Sequence, residues 1–369
     1  MLNRNILEKI ITALRVPDGP SGRVLVGFDG YVDRIVRLKK NQRDPPDYFE
    51  SIGEFTDFLR KYPDKSVDIG LRRINEKIGG NGPILAESLA AKNVNVYCIG
   101  AFGYPEILDV FKPLANMCSL VSVEQAAFTL AMEFNNAKIM LGENDSFDNI
   151  TWDRLKEIMG EEDILKKINE SEIFCFTNWS GLSKSNDILE GLVKYVYPGL
   201  NSKKVLFFDL SDPSCKTVEQ FDDFFKLLTE LSGSFDITLG LNTKEMLLVY
   251  NRFFQSDEEN YSDNMVMKLV EAMPVKEILV HGTDWAAASE RTNKFTQIKG
   301  TKITNPRYLT GAGDNFNAGF CLGKLCNLDL TACLYLGNIS AFYYVKTGIP
   351  AVISDIAGYI ENELKTFDQ

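Results

Sequence analysis

Histidine is nearly absent from this sequence, and its scarcity limits the chemistry that the chain can perform. His281 is the only histidine in 369 residues, so metal sites built from several imidazoles are excluded. A Ser-His-Asp hydrolase would depend on that one side chain. The seven cysteines are scattered without a Cys-x-x-Cys pair, a pattern that favours reduced thiols over a disulfide framework or a zinc site.

An excess of positive charge and long apolar runs are also missing. The 40 lysines and arginines are outnumbered by 51 aspartates and glutamates, for a formal net charge of -11. This balance argues against a broad surface for nucleic acid or anionic membranes. No apolar run is long enough to span a bilayer, and the first residues show an amphipathic pattern instead of a signal peptide. We therefore expect a cytoplasmic protein with no nucleic-acid or membrane partner.

What the sequence does contain is a regular alternation of short apolar runs and amphipathic segments in its second half. This alternation predicts a parallel sheet covered by helices on both faces, within one α/β domain that spans residues 1–369. Residues 39–77 are polar and indicate an insertion. Residues 126–141 alternate in polarity and predict a hairpin, for which the edge of the main sheet is one open location.

One late stretch, Gly311-Ala312-Gly313-Asp314, is suited to an anion. Helical periodicity begins directly after the glycines, so we predict a helix that starts there. The free amides and the positive dipole end of such a start attract phosphate, and glycine lets a ligand approach the backbone. Asp314 would lie in the first turn, where a carboxylate can receive the proton of an attacking hydroxyl. The alternative is a tight loop whose aspartate only compensates the dipole.

Two earlier segments place polar groups where α/β sheets bind ligands. Asp29 and Asp33 follow the first predicted strand, and carboxylates at the end of a parallel strand face the crevice, where they suit the adjacent hydroxyls of a sugar. Gly79-Gly80-Asn81 precedes a proline and a helix of small residues, which predicts a second helix start with close backbone approach. Turn residues without a ligand are the alternative.

Asn242 and Glu245 open a further helix after a strand. An asparagine cap with glutamate three residues later forms a capping box, which satisfies the first amides and requires no ligand. The same oxygens suit a hydrated divalent cation, so both roles remain open.

The motif Gly311-Ala312-Gly313-Asp314, followed by Asn-Phe-Asn-Ala-Gly-Phe, resembles the C-terminal signature of the ribokinase-like (PfkB) family of carbohydrate kinases. The resemblance covers about residues 24–348, with Tyr308-Leu309 where the family usually has an Asp-Thr pair. It implies a three-layer α/β/α sandwich with a mostly parallel central sheet and a small β-sheet lid from residues 30–38 and 126–141. It assigns to the acceptor Asp29, Asp33, Gly79, Gly80 and Asn81.

The resemblance also implies a phosphate donor, ATP with Mg²⁺. Asn242 and Glu245 would hold Mg²⁺ through water, Gly282 and Thr283 would lie near the donor phosphates, and Asn338 would contact the adenine. The catalytic residues would be Asp314 as the base, with the amides of Gly311, Ala312 and Gly313 as an anion hole.

The function that the resemblance implies is ATP-dependent phosphorylation of a hydroxyl, expected to be a primary one, on a sugar or a sugar-like molecule. A nucleoside kinase of the same family is the main alternative, and an ADP donor is a remoter one. A ligand-sensing homologue with little activity is a third, suggested by Tyr308 and by Ile84, where the family commonly has asparagine. The lid sheet could pair two subunits into a homodimer.

Overall fold

The computed structural model describes residues 4–15, 22–41, 43–135, 137–292, 294–301, 303 and 306–366. Its strands are β1 (Arg23–Gly27), β2 (Tyr31–Leu38), β3 (Leu71–Gly79), β4 (Asn95–Gly100), β5 (Ser119–Ser122), β6 (Ala127–Glu133), β7 (Lys138–Glu143), β8 (Ile173–Phe176), β9 (Lys204–Asp209), β10 (Phe235–Asn242), β11 (Glu277–His281), β12 (Trp285–Glu290) and β13 (Lys294–Lys299). Its α-helices are α1 (Arg4–Leu14), α2 (Ile52–Leu59), α3 (Asn81–Ala90), α4 (Lys112–Ala115), α5 (Trp152–Met159), α6 (Glu161–Asn169), α7 (Ser185–Gly191), α8 (Val218–Leu231), α9 (Thr243–Phe254), α10 (Asp263–Ala272), α11 (Ala312–Leu325), α12 (Leu330–Thr347) and α13 (Ile353–Thr366).

The main sheet has nine strands in the order β13-β12-β11-β10-β9-β8-β1-β4-β5. Its pairs are parallel, except that β12 runs antiparallel to both of its neighbours. Along β1, Leu25 packs into one hydrophobic cluster, whereas Val24 and Val26 pack into a second cluster on the opposite face. Such a strand is apolar throughout because helices cover both faces of the sheet. The predicted α/β sandwich with a mostly parallel central sheet is therefore confirmed.

A second sheet has four strands in the order β3-β2-β6-β7. The hairpin of β6 and β7 pairs through β6 with β2, so its alternative location at the edge of the main sheet is wrong. Strand β3 lies partly in the segment that was expected to be an insertion. Its first five residues are exposed instead of packed in a core. That this sheet acts as a lid stays a prediction.

The two faces of the second sheet differ in polarity. Asp33 is paired with Lys77 on one side and with Thr129 on the other, and directly paired residues share a face. Helix α2 covers part of the opposite face through a cluster that includes Phe55 and Met132. We call the face of Asp33 the inner face and the face of α2 the outer face.

The helix predicted after the late glycines is α11, and it is buried on nearly all sides between α3 and α12. Close packing against α12 explains its small residues, since a Cβ on Gly319 would lie 2.3 Å from the carbonyl oxygen of Leu336. In the part of the chain that the structure describes, every helix is too short or too polar to cross a bilayer.

Candidate active site

Two adjoining cavities lie where the parallel strands end. The smaller, of about 320 Å³, is lined by polar groups that include Asn81, Asp209, Glu245 and Asp314. The larger, of about 750 Å³, lies between the start of α11, helix α12 and the loop after β11. Gly313 lines both cavities, so the start of α11 forms the border between them.

The start of α11 has no side-chain cap. Gly311 is the N-cap residue with φ 93°, in the left-handed region, where glycine is tolerated at little cost. The amides of Gly311 and Gly313 have no acceptor among the described residues, whereas the amide of Ala312 donates to the carbonyl of Leu309 at 3.2 Å. An anion hole at this helix start would therefore use the amides of Gly311 and Gly313, and the expected contribution of Ala312 would require that its turn hydrogen bond be broken.

Asp314 is buried at the floor of the smaller cavity and is held on one oxygen. The Nδ2 of Asn81 donates to its Oδ1 at 2.9 Å, and the hydroxyl of Ser211 donates to the Oδ1 of Asn81 at 2.8 Å. Burial, then the nearby carboxylates of Asp209 and Asp29, raise the pKa of Asp314 well above its usual value. A positioned carboxylate with an increased proton affinity is suited to act as a general base.

Asp29 is engaged within the protein. Its carboxylate accepts hydrogen bonds from the amides of Asn81 at 2.8 Å and Gly82 at 2.7 Å, and from the side chains of Thr177 and Asn178. These bonds fill the usual acceptor capacity of a carboxylate, and the residue is only 1% exposed. We therefore assign Asp29 to holding the start of α3, instead of the expected contact with the acceptor.

Asp33 remains the candidate for a carboxylate that contacts the acceptor. Burial raises its pKa, and the neighbouring charge of Lys77 opposes that shift. Gly79 leaves it room, because a Cβ there would lie 2.4 Å from the Oδ1 of Asp33. Gly80 leaves room for Asp29 in the same way, because a Cβ on Gly80 would lie 2.9 Å from the Oδ2 of Asp29.

Two lysines of the second sheet, which the sequence analysis missed, reach toward the loop before α11. Lys77 lies over the ring of Tyr308 at 4.9 Å, and the Nζ of Lys138 lies 3.5 Å from the hydroxyl of Thr310. The alternation along the predicted hairpin could have placed Lys138 on one face of the sheet. Lys77 could not be placed in this way, because its strand β3 was not recognised from the sequence.

Asn242 and Glu245 form the predicted capping box, with reciprocal hydrogen bonds between side chains and backbone. Burial, then the charge of Asp209, raises the pKa of Glu245 to about 8.

Asp209 was also missed, although it is the last residue of a parallel strand and the reasoning used for Asp29 would have identified it. Its own pKa is raised by burial to about 6.

The larger cavity contains the residues expected on the donor side. Gly282, Thr283 and Asn338 line it, and the Nδ2 of Asn338 is buried without a hydrogen-bond partner among the described residues. A buried amide without a partner is rare in proteins, which fits a donor awaiting a ligand atom. Burial lowers the pKa of His281, at the border of the cavities, to about 4, so the imidazole is neutral near pH 7.

The residues present fit a hydrated cation better than a directly ligated one. Among the described residues, no three His, Cys, Asp or Glu side chains are arranged to hold a metal ion. However, Asp209, Glu245 and Asp314 line one small cavity and repel one another, and a divalent cation with its water shell would relieve that repulsion.

Comparisons with known proteins agree with this geometry. A family model for prokaryotic ketohexokinases matches residues 13–362. A ketohexokinase of Haloferax volcanii is 23% identical over 354 residues, covering 94% of this chain and 93% of the relative. The adenosine kinase of Sinorhizobium meliloti has a TM-score of 0.65 at 15% identity, covering 92% of this chain and 99% of that one. The ribokinase of Thermotoga maritima has a TM-score of 0.62 at 14% identity, covering 92% and 98%. The resemblance to ribokinase-like carbohydrate kinases is thereby confirmed.

Proposed function

This chain belongs to the prokaryotic ketohexokinase family, and on that premise we propose that it transfers the γ-phosphate of ATP to a primary hydroxyl of a ketohexose. That the protein is an ATP-dependent sugar kinase, a phosphotransferase with an alcohol acceptor, follows from the family and was predicted from the sequence. The observation that carries phosphoryl transfer is the start of α11, where free amides and Asp314 lie beside a polar cavity that adjoins a larger one. The ketohexose acceptor is proposed from the ketohexokinase family and the ketohexokinase relative.

The acceptor would enter the smaller cavity below the second sheet. Asp33 and the Gly79-Gly80 loop would hold the sugar hydroxyls, and Asn81 would hold Asp314 so that its Oδ2 faces the reacting hydroxyl. As the bond from oxygen to phosphorus forms, Asp314 would take the hydroxyl proton. The amides of Gly311 and Gly313 would stabilise the charge on the phosphoryl oxygens.

The donor would occupy the larger cavity, whose volume suits a nucleotide. Gly282 and Thr283 would border its phosphates, and the unpaired amide of Asn338 would contact the adenine. Mg²⁺ would be held through water by Asn242 and Glu245, with Asp209 nearby, and would supply charge neutralisation between the phosphates. A similar structure, a putative ribokinase II from E. coli, is described in complex with ATP and Mg²⁺, which supports this assignment.

A nucleoside acceptor is the second candidate, because nucleoside kinases are among the similar structures. The inner face of the second sheet favours a sugar. Its side chains near Asp33 are Lys77 and Thr129, and the aromatic ring that shares this face, Tyr31, packs edge-on against Phe147. Among the described residues of these strands, that face presents no free ring on which a base could stack.

The test measures turnover by the pure protein as ADP release. The assay contains ATP, Mg²⁺ and one member of a panel of ketohexoses, ketopentoses, aldoses and nucleosides. We expect the highest kcat/KM on a ketohexose, with phosphorus NMR of the product placing phosphate on a primary carbon. Preferred turnover of a nucleoside would favour the second candidate. Sugar binding without turnover would instead indicate a sensor.

The outer face of the second sheet supports a homodimer. Phe128 and Leu141 are 38% and 51% exposed there, and adjoining apolar side chains on a sheet surface commonly mark an interface. We expect a dimer by solution scattering, and a monomer for Leu141→Glu. Met117→Glu, at an exposed apolar residue outside this sheet, should remain dimeric; a monomeric wild-type protein would contradict the proposal.

An ATP donor and seven free thiols fit a reducing compartment. We therefore keep the cytoplasm as the proposed location, which cell fractionation can test.

A further inference from the structure

A buried chain of hydrogen bonds runs from Lys92, just after α3, to the carbonyl that precedes α11. The Nζ of Lys92 donates to the hydroxyl of Ser88 at 2.9 Å, and that hydroxyl donates to the Oδ1 of Asn315 at 2.8 Å. The Nδ2 of Asn315 then donates to the carbonyl of Gly311 at 2.9 Å. Lys92, Ser88 and Asn315 are all 0% exposed.

Lys92 is the buried end of this chain. Its other acceptor is the carbonyl of Ser88, at 3.0 Å, and among the described residues no carboxylate forms an ion pair with it. Burial lowers the pKa of Lys92 to about 7, but a neutral amine still has two N–H donors for these two acceptors. The hydroxyl of Ser88 accepts from Lys92 and uses its one hydrogen for Asn315, so Lys92 holds that hydroxyl in place.

The carbonyl of Gly311 can only accept, so the Nδ2 of the Asn315 amide faces it and the Oδ1 is left for the hydroxyl of Ser88. Both ends of the amide are thus bonded, which holds the side chain of Asn315 in one orientation. Loss of the Ser88 hydroxyl would leave the buried Oδ1 without its donor.

The side chain of Asn315 adds to backbone hydrogen bonds that already hold this peptide group: the amide of Asn315 donates to the Gly311 carbonyl at 3.0 Å, and the amide of Ala312 donates to the Leu309 carbonyl at 3.2 Å. The φ of Gly311, 93°, lies in a region that glycine enters and leaves at little cost, so these hydrogen bonds are what keep the peptide group in place. A reoriented peptide would change where the neighbouring amides point, and donors at an anion hole act only when they are aimed at the place where charge develops.

We propose that Lys92 is a positioning residue for phosphoryl transfer: through Ser88 and Asn315 it supports the side-chain hydrogen bond to the carbonyl of Gly311, and this reinforces the backbone bonds that keep the amides at the start of α11 directed at the transferring phosphate. This proposal rests on the kinase function proposed above. A simpler role for Lys92 is to cap the last turn of α3, and this role would need only its hydrogen bond to the Ser88 carbonyl.

Two variants separate these roles. Lys92→Met removes both roles, whereas Ser88→Ala breaks the chain and leaves the hydrogen bond to the Ser88 carbonyl. We expect each to lower kcat by roughly tenfold, less than the loss of a direct anion-hole donor, with KM for ATP and sugar nearly unchanged. Affinity for ADP with aluminium fluoride, a mimic of the transferring phosphoryl group, should fall by the same factor while affinity for ADP alone is kept.

Lys324→Met is the matched control. Lys324 is also largely buried and lies on α11 itself, but it pairs with Glu277 at 3.0 Å, away from the cavities. This variant should lose stability and keep kcat. Removing one partner of a buried ion pair can be strongly destabilising, so thermal melting checks that both Lys324→Met and Lys92→Met are folded.

The results test the kinase function and the positioning role of Lys92 separately. If the wild-type protein turns over and Ser88→Ala matches it in kcat and in affinity for ADP with aluminium fluoride, the positioning role is wrong. If Lys92→Met still lowers kcat in an Asn315→Leu background by the same factor as in the wild type, the residues do not act as one chain and the proposal also fails. If the wild-type protein turns over no acceptor, the kinase proposal fails, and equal binding of ADP with aluminium fluoride to wild type and Lys92→Met overturns the positioning role independently.

Discussion

Two helices of this protein begin after similar glycine-rich sequences, yet only one start is open to a ligand. At α3, the amides of Asn81 and Gly82 are taken by the carboxylate of Asp29, at 2.8 and 2.7 Å. At α11, no side chain caps the helix, and the amide of Gly313 has no acceptor among the described residues. The proposed anion site therefore depends on the lack of an internal carboxylate at α11, and not on the glycines alone.

The difference has an energetic side. The first amides of a helix need acceptors, and leaving them unsatisfied in a buried place lowers stability. Asp29 removes that penalty at α3, so this start is part of the folded framework. The start of α11 is only partly buried and lines a cavity, so its free amides remain available to a phosphate. We therefore expect substitutions at α3 to act mainly on stability and substitutions at α11 mainly on turnover.

The largest expected effect is that of Asp314→Asn. The amide cannot take the proton of the acceptor hydroxyl, so kcat should fall by about 10²- to 10⁴-fold, while the affinity for ATP, measured by calorimetry, stays near that of the wild type. Undiminished turnover would refute the role of Asp314 as the base.

Asp329→Asn provides the control for that substitution. Asp329 caps the neighbouring helix α12 through the amide of Ala332, outside both cavities. It is thus a carboxylate at a helix start without a catalytic role, and its replacement should leave kcat unchanged.

Asp29 and Asp33 form the second contrast. Asp29→Ala leaves two backbone amides and two side-chain donors without their acceptor, which should lower the free energy of unfolding by about 3 kcal/mol, measured by urea denaturation. Asp33→Ala should change stability little and raise the KM for the sugar by about tenfold or more, since a hydrogen bond to a charged group is lost. If Asp29→Ala instead kept its stability and had a raised KM for the sugar, Asp29 would be a ligand of the acceptor.

The contrast between the two helix starts also shows what could be predicted from sequence. Local patterns correctly predicted both starts, because helical periodicity and glycine positions are short-range signals. The engagement of Asp29 could not be predicted, since two of its donors, Thr177 and Asn178, lie about 150 residues away in the chain. Strand β3 was missed because its alternation is hidden by charged residues, and with it Lys77, which faces Asp33 only through strand pairing.

The smallest predicted effect is a shift in pH dependence, and it measures how strongly the start of α11 is coupled to its carboxylate neighbours. After burial, Asp209 is the strongest of the influences that raise the pKa of Asp314. The base must be ionised to accept a proton, so activity falls as the pH drops through its pKa. Asp209→Asn removes a negative charge and lowers that pKa, so the acid limb of the kcat profile should move to lower pH. Asp212→Asn, at a more exposed neighbour that pairs with Lys244, should leave the limb in place. A shift to higher pH in Asp209→Asn would mean that the titrating group is not Asp314.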